Sequence, residues 1–128
     1  MNKVIAFDVF NTVVQFAHVP LEEKKAYADH IRENDGVTYP WRPLRLPESW
    51  EHLPAYPDSA EGLACLRERY TVVTLSNGPV GLLAKLSKRN GLAWDLITPL
   101  EARQVYKPNT EAYLYLCDVL NVRPDEVM

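Results

Sequence analysis

Three short polar segments of this sequence each follow a run of apolar residues. Asp8 comes after KVIAF (3–7), Ser76-Asn77-Gly78 after TVVTL (71–75), and Lys107-Pro108 lies in the loop after Leu96-Ile97-Thr98. Short, nearly continuous apolar runs rich in β-branched residues read as strands of a parallel sheet buried on both faces. In open parallel sheets, ligands sit beyond the carboxyl ends of the strands. A carboxylate, a hydroxyl beside two backbone amides and a primary amine thus meet, on this reading, at the ligand-binding end of one sheet. Each group also has a plainer reading: Asp8 as a turn or cap residue, Ser76 or Asn77 as a helix cap, Lys107 as a solvated loop lysine. Three such groups from three separate strands point to a site more strongly than any one alone.

The elements that must position them are helical. Residues 21–33 (LEEKKAYADHIRE) follow Pro20, which suits a helix start. Residues 59–69 follow Asp58, and Asp58 with Glu61 has capping-box spacing, with Leu63, Ala64 and Leu66 as the apolar stripe. Residues 80–90 carry Leu82, Leu83 and Leu86 and stop at Asn90-Gly91. Residues 110–120 carry Ala112, Tyr113, Leu116, Cys117 and Leu120 at helical spacing. Between the first helix and Asp58 the composition changes, with five prolines in residues 34–57 and little periodicity. Strand–helix alternation predicts an α/β domain with a parallel sheet, whose first crossover carries a small insertion.

Composition narrows the function classes. The chain has 128 residues, enough for one domain that hides about two thirds of its unfolded surface. Apolar residues make up 47 %, charged residues 24 %, and the net charge is −3, so no basic footprint for nucleic acid or acidic lipid is present. Uncharged stretches such as TVVTLSNGPVGLLA are too mixed to span a bilayer, and no basic head with an apolar run marks a secretion signal. The expected setting is cytoplasmic. Cys65 and Cys117 lack metal-ligand spacing and read as buried small apolar residues. His18, His30 and His52 have no partner at metal-ligand spacing; His18, just beyond the Asp8 loop, reads as a surface residue or, alternatively, a ligand contact, and Glu22, Glu23, Lys24 and Lys25 as a solvated helix face. Tyr39, Trp41 and Trp50 in the insertion read as a satellite core or, alternatively, a pocket roof.

The segments DVFNT (8–12), LSNG (75–78) and VYKP (105–108) resemble the first three motifs of the haloacid dehalogenase superfamily. More narrowly they are similar to its 2-haloacid dehalogenase branch, as are YPDSAEGL (56–63), NGLAWD (90–95) and KPNTEAY (107–113). The resemblance covers residues 1–16 and 54–128 and implies a three-layer α/β/α, Rossmann-like core there, with residues 17–53 as a reduced cap. It implies that Asp8 is a nucleophile and that Lys107 holds it ionised and oriented. At ~4 Å and an effective dielectric near ~20, such a pair is worth about 4 kcal/mol before desolvation. It further implies that Ser76, with the Asn77 and Gly78 amides near a helix N-terminus, binds a carboxylate or phosphoryl oxygen. Thr12 would support the loop presenting Asp8.

Phe10 separates the branches of the superfamily. Phosphatases place a second aspartate there to protonate a departing alkoxide, whereas a halide leaves without a proton. Phosphoryl transfer to an anionic carboxylate also calls for a divalent cation, and displacement at carbon does not. The resemblance therefore implies a small organic acid as substrate and no cofactor, with Mg2+ entering only in a phosphatase. Phe10 also has the plain reading of a residue packed beneath the insertion.

Three departures stand beside this. Asn11 replaces a glycine, a change that preserves the turn if Asn11 adopts a left-handed conformation. The insertion is short for a cap, and Trp41-Arg42 only echoes the branch's halide-binding arginine. A reduced cap leaves Asp8 open to large substrates or to cover by a second subunit, as in a homodimer. A fourth, acidic motif is expected after a strand following RPDEVM (123–128), so the expectation is a piece of a longer protein whose first strand has one side unpaired. The alternatives to a dehalogenase are a phosphatase and a non-catalytic binding module or remnant.

Overall fold

The computed structural model describes residues 2–37 and 44–128. The three apolar runs form β1 (Val4–Phe7), β2 (Thr71–Thr74) and β3 (Leu96–Ile97), all parallel, in the order β1-β2-β3. Ala6 lies opposite Val73, and Thr74 opposite Ile97. Side chains alternate across a strand, so neighbouring residues feed opposite layers. On one face Phe7, Val72 and Ile97 meet Leu63 of α2 (Ser59–Arg67) and Leu82, Leu83 and Leu86 of α3 (Val80–Asn90). On the other, Val4, Ala6, Val73 and Leu96 meet Ile31 of α1 (Leu21–Asn34), Leu100 of α4 (Leu100–Arg103), and Ala112 and Leu116 of α5 (Thr110–Leu120). The result is an α/β/α sandwich. Described residues of the 17–53 insertion join both layers: Val19 and Trp50 pack on the α2–α3 side, Ile31 on the other, and Tyr27 touches both.

Several expectations are corrected by packing. β1 is paired on both sides, because Lys3 N donates to Glu126 O at 2.8 Å, Met128 N to Val4 O at 2.9 Å and Ala6 N to Met128 O at 3.0 Å. Val4 sits opposite Val127 in parallel register, so residues 126–128 already occupy the edge expected to be open. Asp58 makes no side-chain cap; its φ and ψ of −95° and −2° are helical rather than the extended backbone a capping residue usually adopts. Ala64 and Cys65 face solvent, leaving buried Leu63 and half-buried Leu66 as the apolar stripe of α2, while Cys117 is buried as expected. Burial and the neighbouring Asp118 push the Cys117 thiol up.

Glu23 is not simply solvated. It accepts a 2.7 Å hydrogen bond from the Trp50 indole, which is itself 1 % exposed, and Lys24 lies over the Phe16 ring. The third strand is only two residues long because Thr98 N turns to the Thr74 hydroxyl instead of continuing the ladder. α4 and a 3-10 turn at Glu48–His52 are each too short to leave a periodic trace in sequence. By contrast α3 and α5 begin and end where their periodicity predicts, and Gly91 takes the left-handed φ of 65° expected of a helix stop. No helix among the described residues is long and apolar enough to cross a membrane.

Candidate active site

Asp8 follows the last residue of β1, and Leu75 N donates to Phe7 O at 2.8 Å, carrying the ladder one step past β2. The sheet thus delivers both Asp8 and Ser76 to its carboxyl edge. Lys107 Nζ reaches Asp8 Oδ1 at 3.2 Å, and the same oxygen accepts from Val9 N at 2.9 Å. The Asp8 side chain is 54 % exposed and that of Lys107 20 %. Solvent screening at such exposure reduces the pair from the ~4 kcal/mol of a weakly screened contact to about 1 kcal/mol or less. The lysine therefore orients and partners the carboxylate more than it stabilises the fold.

The Lys107 backbone is held on several sides. Its amide donates to Asn77 Oδ1 at 2.7 Å, while Asn77 Nδ2 donates to the Lys107 carbonyl at 3.0 Å. Asn109 N closes the turn onto Tyr106 O at 2.9 Å. From α1, Asp35 accepts from Tyr106 N at 2.8 Å and from Asn109 Nδ2 at 3.2 Å. Asn109 in turn caps α5 by accepting from Glu111 N. Burial and the charges of Glu101 and Asp35 push the Tyr106 phenol upward.

Asn77 thus braces the lysine turn. Ser76 is buried, and its hydroxyl accepts from Gly78 N at 3.1 Å. The first amide of α3, Val80 N, donates to Glu101 Oε1 at 2.6 Å. The chain's own hydroxyl and carboxylate thus engage the Gly78 and Val80 amides near the start of α3.

The loop after Asp8 is compact. Asn11 has the left-handed φ of 63° that its side chain tolerates, its amide donates to Val14 O at 2.7 Å, and its Oδ1 accepts from Tyr56 at 3.1 Å. Phe10 is buried in a cluster with Phe16, Tyr27 and Trp50, with ring centroids 4.9, 6.0 and 5.6 Å away. Burial, reinforced by the negative charge of Asp8, raises the Tyr27 phenol far above its ordinary value, so it stays protonated. Thr12 is exposed and lines a different pocket with Asp58 and Ser59 of α2. Arg42, with Trp41 and Tyr39, lies outside the described residues. On the α1 side a pocket of about 330 Å³ opens between Tyr27, Ala28 and Ile31 and the Asn77 and Lys107 side of the site.

The structure therefore joins Asp8 to Lys107 and Lys107 to Asn77, buries Ser76 against Gly78, and withdraws Phe10 into the core. A family model for haloacid dehalogenase-like hydrolases matches residues 18–128. The chain belongs to this family. It is 40 % identical over 101 residues to an (S)-2-haloacid dehalogenase 4A of Burkholderia cepacia, covering 77 % of this chain and 42 % of that protein. It is 35 % identical over 86 residues to an (S)-2-haloacid dehalogenase 1 of Pseudomonas sp. (strain CBS-3), covering 65 % of this chain and 38 % of the relative. The chain thus spans about two fifths of the length of these curated relatives. The crystal structure of the L-2-haloacid dehalogenase PA0810 superposes with a TM-score of 0.83 at 24 % identity, over all of this chain and 75 % of that one, a likeness of fold.

Within this haloacid dehalogenase-like domain, Asp35, Asn109, Tyr27 and Glu101 escaped the sequence reading. Asp35 lies 71 positions before Tyr106, and Glu101 lies 21 positions after Val80. Neither pair has a local spacing that marks it. Only the NT step in KPNTEAY, an asparagine before a helix, was available as a capping signal for Asn109.

Proposed function

We propose that this domain carries the nucleophile of a hydrolase acting on small 2-haloacids, with Asp8 as the attacking carboxylate. The observation that carries the reading is the 3.2 Å pairing of Asp8 with Lys107 at the carboxyl edge of the sheet, with buried Phe10 where an acid would otherwise stand. An Asp8 oxygen attacks C2 of the substrate, the carbon–halogen bond breaks, and the halide leaves with the bonding pair. An ester links Asp8 to the substrate. Water then adds to the Asp8 carbonyl carbon, returning the carboxylate and releasing a 2-hydroxy acid and a proton.

Lys107 serves both halves by offsetting the repulsion between the Asp8 carboxylate and an anionic substrate. A halide needs no protonation, so the absence of a carboxyl group at position 10 costs the reaction nothing, whereas an alkoxide leaving group would be stranded. Displacement at carbon calls for no divalent cation to offset phosphoryl charge, and Asp8 already stands with the Lys107 cation. The reading is of a cytoplasmic enzyme that needs no cofactor. Ser76 and Asn77 shape the substrate side of the loop, and Thr12 the turn behind it.

The test is halide release from a 2-haloalkanoate by the expressed protein, with single turnover in heavy-oxygen water. Label recovered in the Asp8 carboxylate, with release abolished in Asp8→Asn, is the expected result. Release unchanged in Asp8→Asn overturns the reading.

A further inference from the structure

The turn that carries Lys107 is anchored to two parts of the chain. One anchor, Asn77, belongs to the same edge of the sheet. The other, Asp35, is the residue that ends α1, within the insertion. Its carboxylate accepts from the backbone of Tyr106 at 2.8 Å and from the side chain of Asn109 at 3.2 Å, so it grips the residues before and after Lys107-Pro108. Gly36, the next residue, donates to Gln104 O at 2.6 Å and adds a backbone bond on the same side. Lys107 Nζ meets Asp8 only while its backbone stays in place, because 3.2 Å is near the limit of a hydrogen-bonded ion pair.

The residues on either side of Asp35 explain why this link is firm. Ile31, one turn earlier, is buried against Val73 and Leu100, which fixes the end of α1 on the sheet. Asp35 N donates to Ile31 O, so the carboxylate starts from a helix end that is itself packed. Tyr106 is 4 % exposed, so its amide has no easy water partner if the carboxylate is removed. Asn109 is tied to α5 by its cap, and the grip therefore joins α1 to α5 across the reactive lysine.

We infer that Asp35 is a positioning residue for Lys107, through which α1 sets the distance between the lysine and Asp8. The inference rests on Asp8 and Lys107 being the reacting pair. Asp35 lines the pocket beside Lys107 and acts on the lysine through the Tyr106 and Asn109 bonds. An amide in its place still offers one oxygen to Tyr106 N, so Asp35→Asn keeps the main contact, while Asp35→Ala removes both.

The experiment compares Asp35→Ala, Asp35→Asn and Asp8→Asn in the expressed protein. It reads kcat and KM for halide release, the melting temperature, and hydrogen exchange at the Tyr106 amide. Asp35→Ala should lower kcat roughly tenfold to a hundredfold with a smaller change in KM, as expected when a reacting group is displaced by about an ångström. Tyr106 exchange should accelerate in the same variant, and Asp35→Asn should restore most of both. Unchanged Tyr106 exchange in Asp35→Ala overturns the grip itself. Faster exchange with kcat within twofold of the parent, in a protein that Asp8→Asn inactivates, overturns the positioning role. An equal loss in Asp35→Ala and Asp35→Asn that follows the fall in melting temperature also overturns it, by reducing Asp35 to a structural residue. Undiminished halide release in Asp8→Asn instead overturns the assignment of the reacting pair and with it the positioning role.

Discussion

The Phe10 ring lies so close to the backbone of Gly78 that a Cβ on that glycine would stand 2.9 Å from Phe10 Cε2. Gly78 closes the LSNG segment and Phe10 sits two residues after the proposed nucleophile, so the two loops of the site are packed through this contact. The ring cannot swing away, because Phe16, Tyr27 and Trp50 surround it.

Gly78→Ala should therefore destabilise the domain by about 1–3 kcal/mol, the usual cost of overpacking a well-filled core. Leu83 Cδ2, at 3.2 Å from the same added atom, blocks the other direction. Chemical denaturation checks this, and a double variant with Phe10→Leu should recover part of the loss through coupling between touching residues. Purely additive losses would contradict the contact.

Asn77→Ala removes both bonds to the Lys107 backbone and leaves a half-buried amide and carbonyl without their partner. A stability loss of about 1–3 kcal/mol is expected, with a fall in halide release larger than that loss explains. Asn77→Asp keeps an acceptor for the Lys107 amide but sets a carboxylate oxygen against the Lys107 carbonyl oxygen, a repulsion that offsets the retained bond. Its activity should be no higher than that of Asn77→Ala, measured at a temperature where both are folded.

Trp50→Ala empties the centre of the aromatic cluster and strands the Glu23 carboxylate that accepts from the indole. The expected cost is about 3–5 kcal/mol. Trp50→Phe retains most of the packing and loses the hydrogen bond, so it should fall between the parent and Trp50→Ala. Denaturant midpoints with unchanged slopes are the readout.

Acid stability should depend on Glu126. Its bond to Lys3, then the Arg123 amide, holds its carboxyl down at about 2, well below its ordinary value of 4.5. A folded-state value below the unfolded one means that its stabilisation is fully present above about 4.5 and is lost as the pH falls toward about 2. Asp95, lowered first by the Val72 amide and then by Arg67, contributes on the same acid limb. Unfolding free energies across that window should fall less steeply in Glu126→Gln than in the parent. Identical slopes would show that the Lys3 bond does not persist in solution.

Removal of divalent cations should leave halide release unchanged, since displacement of a halide at carbon needs no cation to offset phosphoryl charge. Assays after exhaustive chelation, with and without added magnesium, decide this. A requirement for magnesium would favour phosphoryl chemistry at Asp8 instead.

Sequence alone determined the elements whose signals are local. Apolar runs marked the strands, helical spacing marked α3 and α5 to their ends, and Asn11 stood where a left-handed residue was needed. The placement of Asp8 and Ser76 just past the ends of adjacent strands was legible for the same reason, since parallel strands direct their carboxyl ends to one edge, whereas Lys107 arrives from the loop after α4.

Tertiary structure decided what depended on partners distant in sequence. Asp35 and Tyr106 are 71 residues apart, Glu23 and Trp50 are 27 apart, and no periodicity in the chain marks either pair. Whether the amides at the start of α3 stay free was likewise decided by Glu101, which arrives from another element. A side chain's type limits which bonds it can make, but which bond it makes depends on the groups that folding brings within about 3 Å of it. Hence the strand ends could be read from composition and spacing, while the grip that holds Lys107 against Asp8 could be read only from the packed chain.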